Sequence, residues 1–148
     1  MINELKQGIA QQLKVLYPNT KTYFNSNQQN TKLPCFFIFL IQKPQTRGIG
    51  KRRYYEMQFD IVYVIQENQT DVESQLNAVS DALDGIDTIN YLVKEGNKYV
   101  SKSIVNIIGA NPEINDNELH YKIDIRLDYL LVDDSEVVED TEYDLKGE

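Results

Sequence analysis

His120, the one histidine of the chain, stands in "LHYKIDIRLDYLLV" with Asp124 and Asp128 following at steps of four. An imidazole and carboxylates could bind a metal or pass a proton if they converged. The segment alternates, with Leu119, Tyr121, Ile123, Ile125, Leu127 and Tyr129 between His120, Lys122, Asp124, Arg126 and Asp128, and reads as a strand. Residues four apart in a strand are separated by about 13 Å, so these side chains cannot meet on one ion or one scissile bond. Their alternating signs suit a solvated face that pairs with a neighbouring strand. Cys35, alone in "LPCFFIFLI", has no cysteine to pair with, which fits a reducing setting. As a nucleophile it would need a base that nothing in the sequence brings near, so a buried, apolar role is expected. Gly48-Ile49-Gly50 is a G-x-G, but it leads into a strand rather than a helix N-terminus and reads as a flexible turn. No catalytic residue, metal or cofactor is expected, and an enzyme is the weakest functional class.

The stronger signal is charge. Lys43, Arg47, Lys51, Arg52 and Arg53 lie within "QKPQTRGIGKRRYY" without one acid, in a chain of net charge -8. The last sixteen residues, "DDSEVVEDTEYDLKGE", hold eight of the 23 acids, which leaves residues 1–132 at a net charge of -1. A near-neutral body with a positive loop and a negative tail is the pattern. Such a loop can be a solvated turn, or a contact for an acidic protein surface or for phosphates. Against nucleic-acid recognition stand the neutral body, the acidic tail and the acidic outer side of "DVESQLNAVSDALDGI".

These residues are positioned by elements legible from periodicity. Ile2, Leu5, Ile9, Leu13 and Leu16 form one stripe of a helix ended by Pro18, and Val72, Leu76, Val79, Leu83 and Ile86 form the stripe of a second. Thr70 with Glu73 predicts a capping box for that second helix, and Gly85 a left-handed terminus. "KTYFN", "CFFIFLI", "YYEMQFDIVYVIQ", "TINYLVK", "YVSKSIVNIIG" and the strand around His120 are the β segments, with "SNQQNTK", the basic loop and "ANPEINDNE" as loops. The expected fold is α+β, in the order αβββαβββ. It has a mainly antiparallel or mixed sheet of about five to six strands with both helices on one face. One domain over 1–132 is expected, with 133–148 as a disordered acidic tail. No apolar run approaches the roughly 20 residues that cross a bilayer, so a soluble chain without membrane contact is expected.

Two features point to assembly. "FFIFLI", "IVYVI" and "YLLV" put large apolar side chains on both sides of their strands, yet no third helix exists to cover the second face. Phe37, Phe39, Val62, Val64, Leu130 and Val132 are therefore expected to contribute to subunit packing. At about 3.3 Å per residue, strands of thirteen or fourteen residues reach roughly 43 to 46 Å, beyond the roughly 38 Å diameter of a domain this size. Their ends should project, with the basic loop at a tip, unless a bulge breaks them.

The helix ending in "LKVLYP", the strand "LPCFFIFLIQ", the basic turn into "RRYYEMQFDIVYV", a helix and two closing hairpin segments resemble, over residues 1 to 132, the small tail terminator proteins of tailed bacteriophages and of related defective prophages of Gram-positive bacteria. The resemblance implies a structural virion protein. Such proteins form a hexameric ring on the head-proximal end of the tail tube, stop its polymerisation and present the head-joining surface. Its partners would be copies of itself and the tail tube protein, with sheath and head completion proteins as further candidates and DNA only passing through the lumen. Assembly would take place in the host cytoplasm. On this reading Lys43, Arg47, Lys51, Arg52 and Arg53 contact the tail tube or the acidic tail of a neighbour. A head completion or neck protein is the alternative, and a small nucleic-acid-binding regulator a more distant one.

Overall fold

The computed structural model describes residues 1–25, 31–66 and 70–130. Most of the linker "SNQQNTK", Val132 and the acidic stretch 133–148 lie outside the described residues.

Helix α1 (Ile2–Leu16) buries Leu5, Ile9 and Leu13 from its stripe, and helix α2 (Val72–Leu83) buries Leu76, Val79 and Leu83. The strands are β1 (Lys21–Tyr23), β2 (Cys35–Gln42), β3 (Gln45–Arg47), β4 (Arg52–Val64), β5 (Thr88–Glu95), β6 (Lys98–Asn115) and β7 (Glu118–Leu130). They form one sheet in the order β1-β2-β4-β7-β6-β5, with β3 added on β4. Every pairing is antiparallel except β1 with β2. The fold is thus the expected α+β, with one strand more than the sequence suggests because β3 forms inside the basic loop. Both helices join one core with Phe36 and Ile38 of β2, Met57, Phe59 and Ile61 of β4, and Leu119, Ile123 and Ile125 of β7. They therefore cover the same face. At the end of α2, Tyr121 Oη donates to Asp84 Oδ1, which ties that helix to β7.

Three local expectations are corrected. The start of α2 is not a capping box. Asp71 is the N-cap, in the left-handed region at φ 58° and without a side-chain cap bond, and Glu73 lies in the first turn. A short polar side chain such as Asp tolerates that region. Gly85 does not take a positive φ: the α2 C-cap is Asp84 in the right-handed region, and only Gly50 and Gly96 among the described glycines are left-handed. Finally, "ANPEIN" is strand, not loop. β5 stops pairing at Asn106, so from Ile107 onward β6 is joined by the sheet ladder to β7 alone. An open edge tolerates Pro112, which has no N–H to give, and the turn shrinks to Asp116–Asn117.

β4 and β7 pair through thirteen consecutive residues, from Arg52 opposite Leu130 to Val64 opposite Glu118, with no bulge between them. Such a ladder is about 43 Å long. Irregularities occur instead in β2 near Leu40, in β6 near Ile107 and opposite Tyr91 of β5.

Candidate functional site: a projecting basic hairpin

At the far end of the ladder only three strands remain. Arg47 pairs with Arg53 and Gln45 with Tyr55 on one side of β4, while Leu130 and Tyr129 of β7 pair with Arg52 and Arg53 on the other. The turn closes with Gly48 N–H donating to Arg52 O at 3.0 Å and Arg52 N–H to Ile49 O at 3.3 Å. Gly50, at φ 66°, supplies the left-handed residue that turns the chain. Of the five predicted basic residues, Arg47, Lys51 and Arg52 are exposed around this turn. Arg53 is half-buried and donates to Gly50 O and Arg52 O. Lys43 lies further back, its ammonium 4.9 Å from the centre of the Tyr55 ring. Arg47 binds Gln45 Oε1 at 3.2 Å. Among the described residues no carboxylate pairs with Arg47, Arg52 or Arg53. At the summit of the turn Ile49 is 94% exposed. The sequence reading takes Gly48-Ile49-Gly50 as a flexible turn and does not single out Ile49, although an apolar residue at a charged tip is the signal that could have marked it.

The face left bare by the helices has two regions. Across the ladder, His120, Lys122, Asp124 and Arg126 meet partners from β4 and β6. Gln58 Nε2 donates to Asp124 Oδ1 at 3.0 Å, Arg126 Nη2 to Glu56 Oε2 at 3.1 Å, and Lys122 Nζ to Glu113 Oε1 at 3.3 Å. His120 bridges two acids, its Nδ1 2.8 Å from Asp60 Oδ2 and its Nε2 3.0 Å from Glu118 Oε1. This is the solvated, cross-paired face that the alternating charges predict. Asp60 escaped notice because it lies 60 residues from His120 and becomes its neighbour only through the β4–β7 register.

Partial burial works to lower the His120 pKa, but the hydrogen bonds and charges of Asp60 and Glu118 outweigh it, and the net shift is upward. A raised folded-state pKa adds stability that is complete below the unfolded value of 6.5 and is lost as pH rises through the folded one. The His120→Gln variant should therefore be less thermally stable than the parent at pH 6, with the gap narrowing by pH 8.5. Melts across that range check the sign, and a gap that widens with pH contradicts it.

The second region is an apolar corner. Tyr23 and Phe37 have ring centres 5.6 Å apart, and Phe37 stacks with Phe39 at 5.9 Å. Phe37, Phe39 and Val64 are half-buried, whereas Val62, between Phe37 and His120 in register, is only 4% exposed. Leu130 ends β7 opposite Arg52. Further apolar surface lies on β6, where Ile104 is 67% and Ile108 52% exposed, and sequence reasoning did not single these out.

Beyond the His120 bridge, the described residues bring no nucleophile together with a base. Cys35 is fully buried and its thiol is pushed by burial up to about 11. Among the described residues no three of His, Cys, Asp and Glu come together as a metal site, and no helix is long and apolar enough to cross a membrane. What the described residues do present is a charged hairpin at the end of the ladder and partly exposed apolar strand surfaces. A family described as "Phage tail terminator protein" matches residues 4–137, and the chain belongs to that family. It is a structural component of a bacteriophage tail. A comparison with curated proteins finds no match.

Proposed function

We propose that the chain is the subunit of a ring, hexameric by its family likeness, that caps the head-proximal end of the tail tube. There it ends tube polymerisation and offers the surface to which the head is joined. The observation that supports this best is the unbroken thirteen-residue β4–β7 ladder in a terminator-family chain, ending in a three-stranded tip with exposed cations around Ile49. On this reading the tip, through Lys43, Arg47, Lys51, Arg52 and Arg53, docks on the tube protein, where an apolar knob ringed by cations suits an apolar hollow bordered by acids.

Ring closure needs two lateral surfaces that differ from one another, because head-to-tail contacts generate rings. The half-buried apolar corner of Phe37, Phe39 and Val64, with Val62 buried behind it, is one, whereas Leu130 lies at the other end of the β4–β7 ladder beside Arg52 and Val132 lies outside the described residues. The exposed β6 residues Ile104 and Ile108 supply the other. Sheath and head completion proteins are the neighbours expected on the outer surfaces, and DNA passes through the lumen without specific binding. The finished ring sits in the virion and is assembled in the host cytoplasm.

Electron microscopy of tubes assembled from the tube protein and mixed with this chain tests the reading. A six-fold ring on one end of each tube is expected. Rings on both ends, density along the shaft or bare ends would overturn it.

A further inference from the structure

Strand β6 carries opposite charges at its two ends. At its start, on the hairpin it forms with β5, Lys94, Lys98 and Lys102 are exposed against Glu95. Lys102 pairs with Glu95 at 2.5 Å, both side chains still about half exposed, and Lys94 and Lys98 form no ion pair among the described residues. At its other end, around the turn to β7, stand Glu113, Asp116 and Glu118, with Asp60 joined to them through His120. The cations among these acids are Lys122, bound to Glu113, and His120, shared between Asp60 and Glu118. The eighteen residues of β6 separate the two groups by up to roughly 56 Å, many times the Debye length of about 8 Å at physiological salt. Within one chain they do not attract each other.

Each charged end adjoins apolar surface. Beside the lysines, Tyr99 is 48% and Ile104 67% exposed. Beside the acids lies the half-buried corner of Phe37, Phe39 and Val64, for Glu118 sits opposite Val64 in register and Asp60 opposite Phe39. Lys21 of β1, and Lys32 next to Tyr23, border that corner on the side away from the acids.

We propose that neighbouring copies join in one direction only, the lysine end of β6 on one copy seating on the acid-bordered apolar corner of the next. This rests on the ring reading and states which two surfaces meet. A two-fold pair would place the same patch of both copies face to face, lysines against lysines or acids against acids. Only the unlike contact is attractive, and repeated head to tail it closes a ring. The apolar residues supply the contact area, and the charges set its direction.

Charge reversal with complementation tests the contact. One variant reverses the basic end, Lys98→Glu with Lys102→Glu, and a second reverses the acidic end, Glu113→Lys with Glu118→Lys. Melting temperatures check that each is folded, and Glu113→Lys alone replaces the second if it melts early. Each protein is added to tubes grown from the tube protein, and the tube ends are imaged by electron microscopy. Either variant alone has both surfaces of one sign, and is expected to need at least about tenfold more protein than the parent to place rings on the ends. An equal mixture should return to within about twofold of the parent, because alternating copies present unlike charges at every contact. Variants that each cap as the parent does would overturn the proposal and leave the ring standing. A mixture no better than its components, with both folded, would overturn it by assigning these charges to some other contact. A parent that places no ring on any end removes the ring reading, and this contact with it.

Discussion

Replacing Gly8 by alanine should destabilise the protein by about 2 to 3 kcal/mol, against the ordinary preference of helices for alanine. Gly8 sits in the buried stripe of α1, where a Cβ would lie 1.9 Å from Asn90 O and 2.6 Å from Ile89 Cγ2. No side-chain rotation relieves a clash with a backbone carbonyl, so the helix must lift from β5. Lifting it loosens Leu5, Ile9 and Leu13 in the core and strains the bond from Asn90 Nδ2 to Gln11 Oε1, 2.8 Å long. Alanine's helix preference returns about 1 kcal/mol, less than the cost of moving the helix. In a domain of this size the melting temperature should fall by roughly 10 °C. An unchanged or raised melting temperature would mean that α1 does not rest on β5 at van der Waals distance.

Changing Lys51, Arg52 and Arg53 together to Glu should have the opposite profile: little effect on stability and a large one on assembly. Lys51 and Arg52 are exposed, and Arg53 contributes only two bonds to the backbone of its own turn. The melting temperature should stay within a few degrees of the parent, as is usual for surface changes of about 0.5 kcal/mol or less. If the hairpin docks on an acidic part of the tube, three reversals turn attraction into repulsion, and the concentration needed to arrest tube growth should rise by about 10- to 100-fold. The parent should also become less effective as salt rises, since exposed charges are screened. A triple variant that arrests growth as well as the parent, at every salt concentration, removes the basic hairpin from the tube contact.

Much of this fold was legible because burial leaves a period. The stripe of α1 and the strict alternation from Leu119 to Leu127 each have one face in the core, so their sequence patterns and structures coincide. Signals that depend on a neighbour were not legible. The "ANPEIN" stretch carries loop-forming residues, and it becomes strand only because β7 offers a partner and β5 has already ended. β3 was hidden in the basic loop, since its three residues bury nothing and are held by pairing with β4. Gly8 reads as an interruption of a helix until β5 lies against it. Of the candidate site, the cluster of cations was plain in the sequence. Its position at the end of an unbroken ladder, beside the exit of β7 and capped by Ile49, depends on register between strands about 70 residues apart. The two-sided apolar character of the strands was also plain. In the fold it is concentrated in the corner near Phe37 and on β6, while the ladder between them is polar and cross-paired.

Tube growth itself offers the most direct measurement. Purified tube protein is polymerised alone and with increasing amounts of this chain, and the lengths of the tubes are measured by electron microscopy. The account predicts tubes that shorten as the ratio of chain to tube protein rises and that stop elongating once an end is occupied. Lengths that stay the same at every ratio, with the chain folded and present in excess, would contradict it.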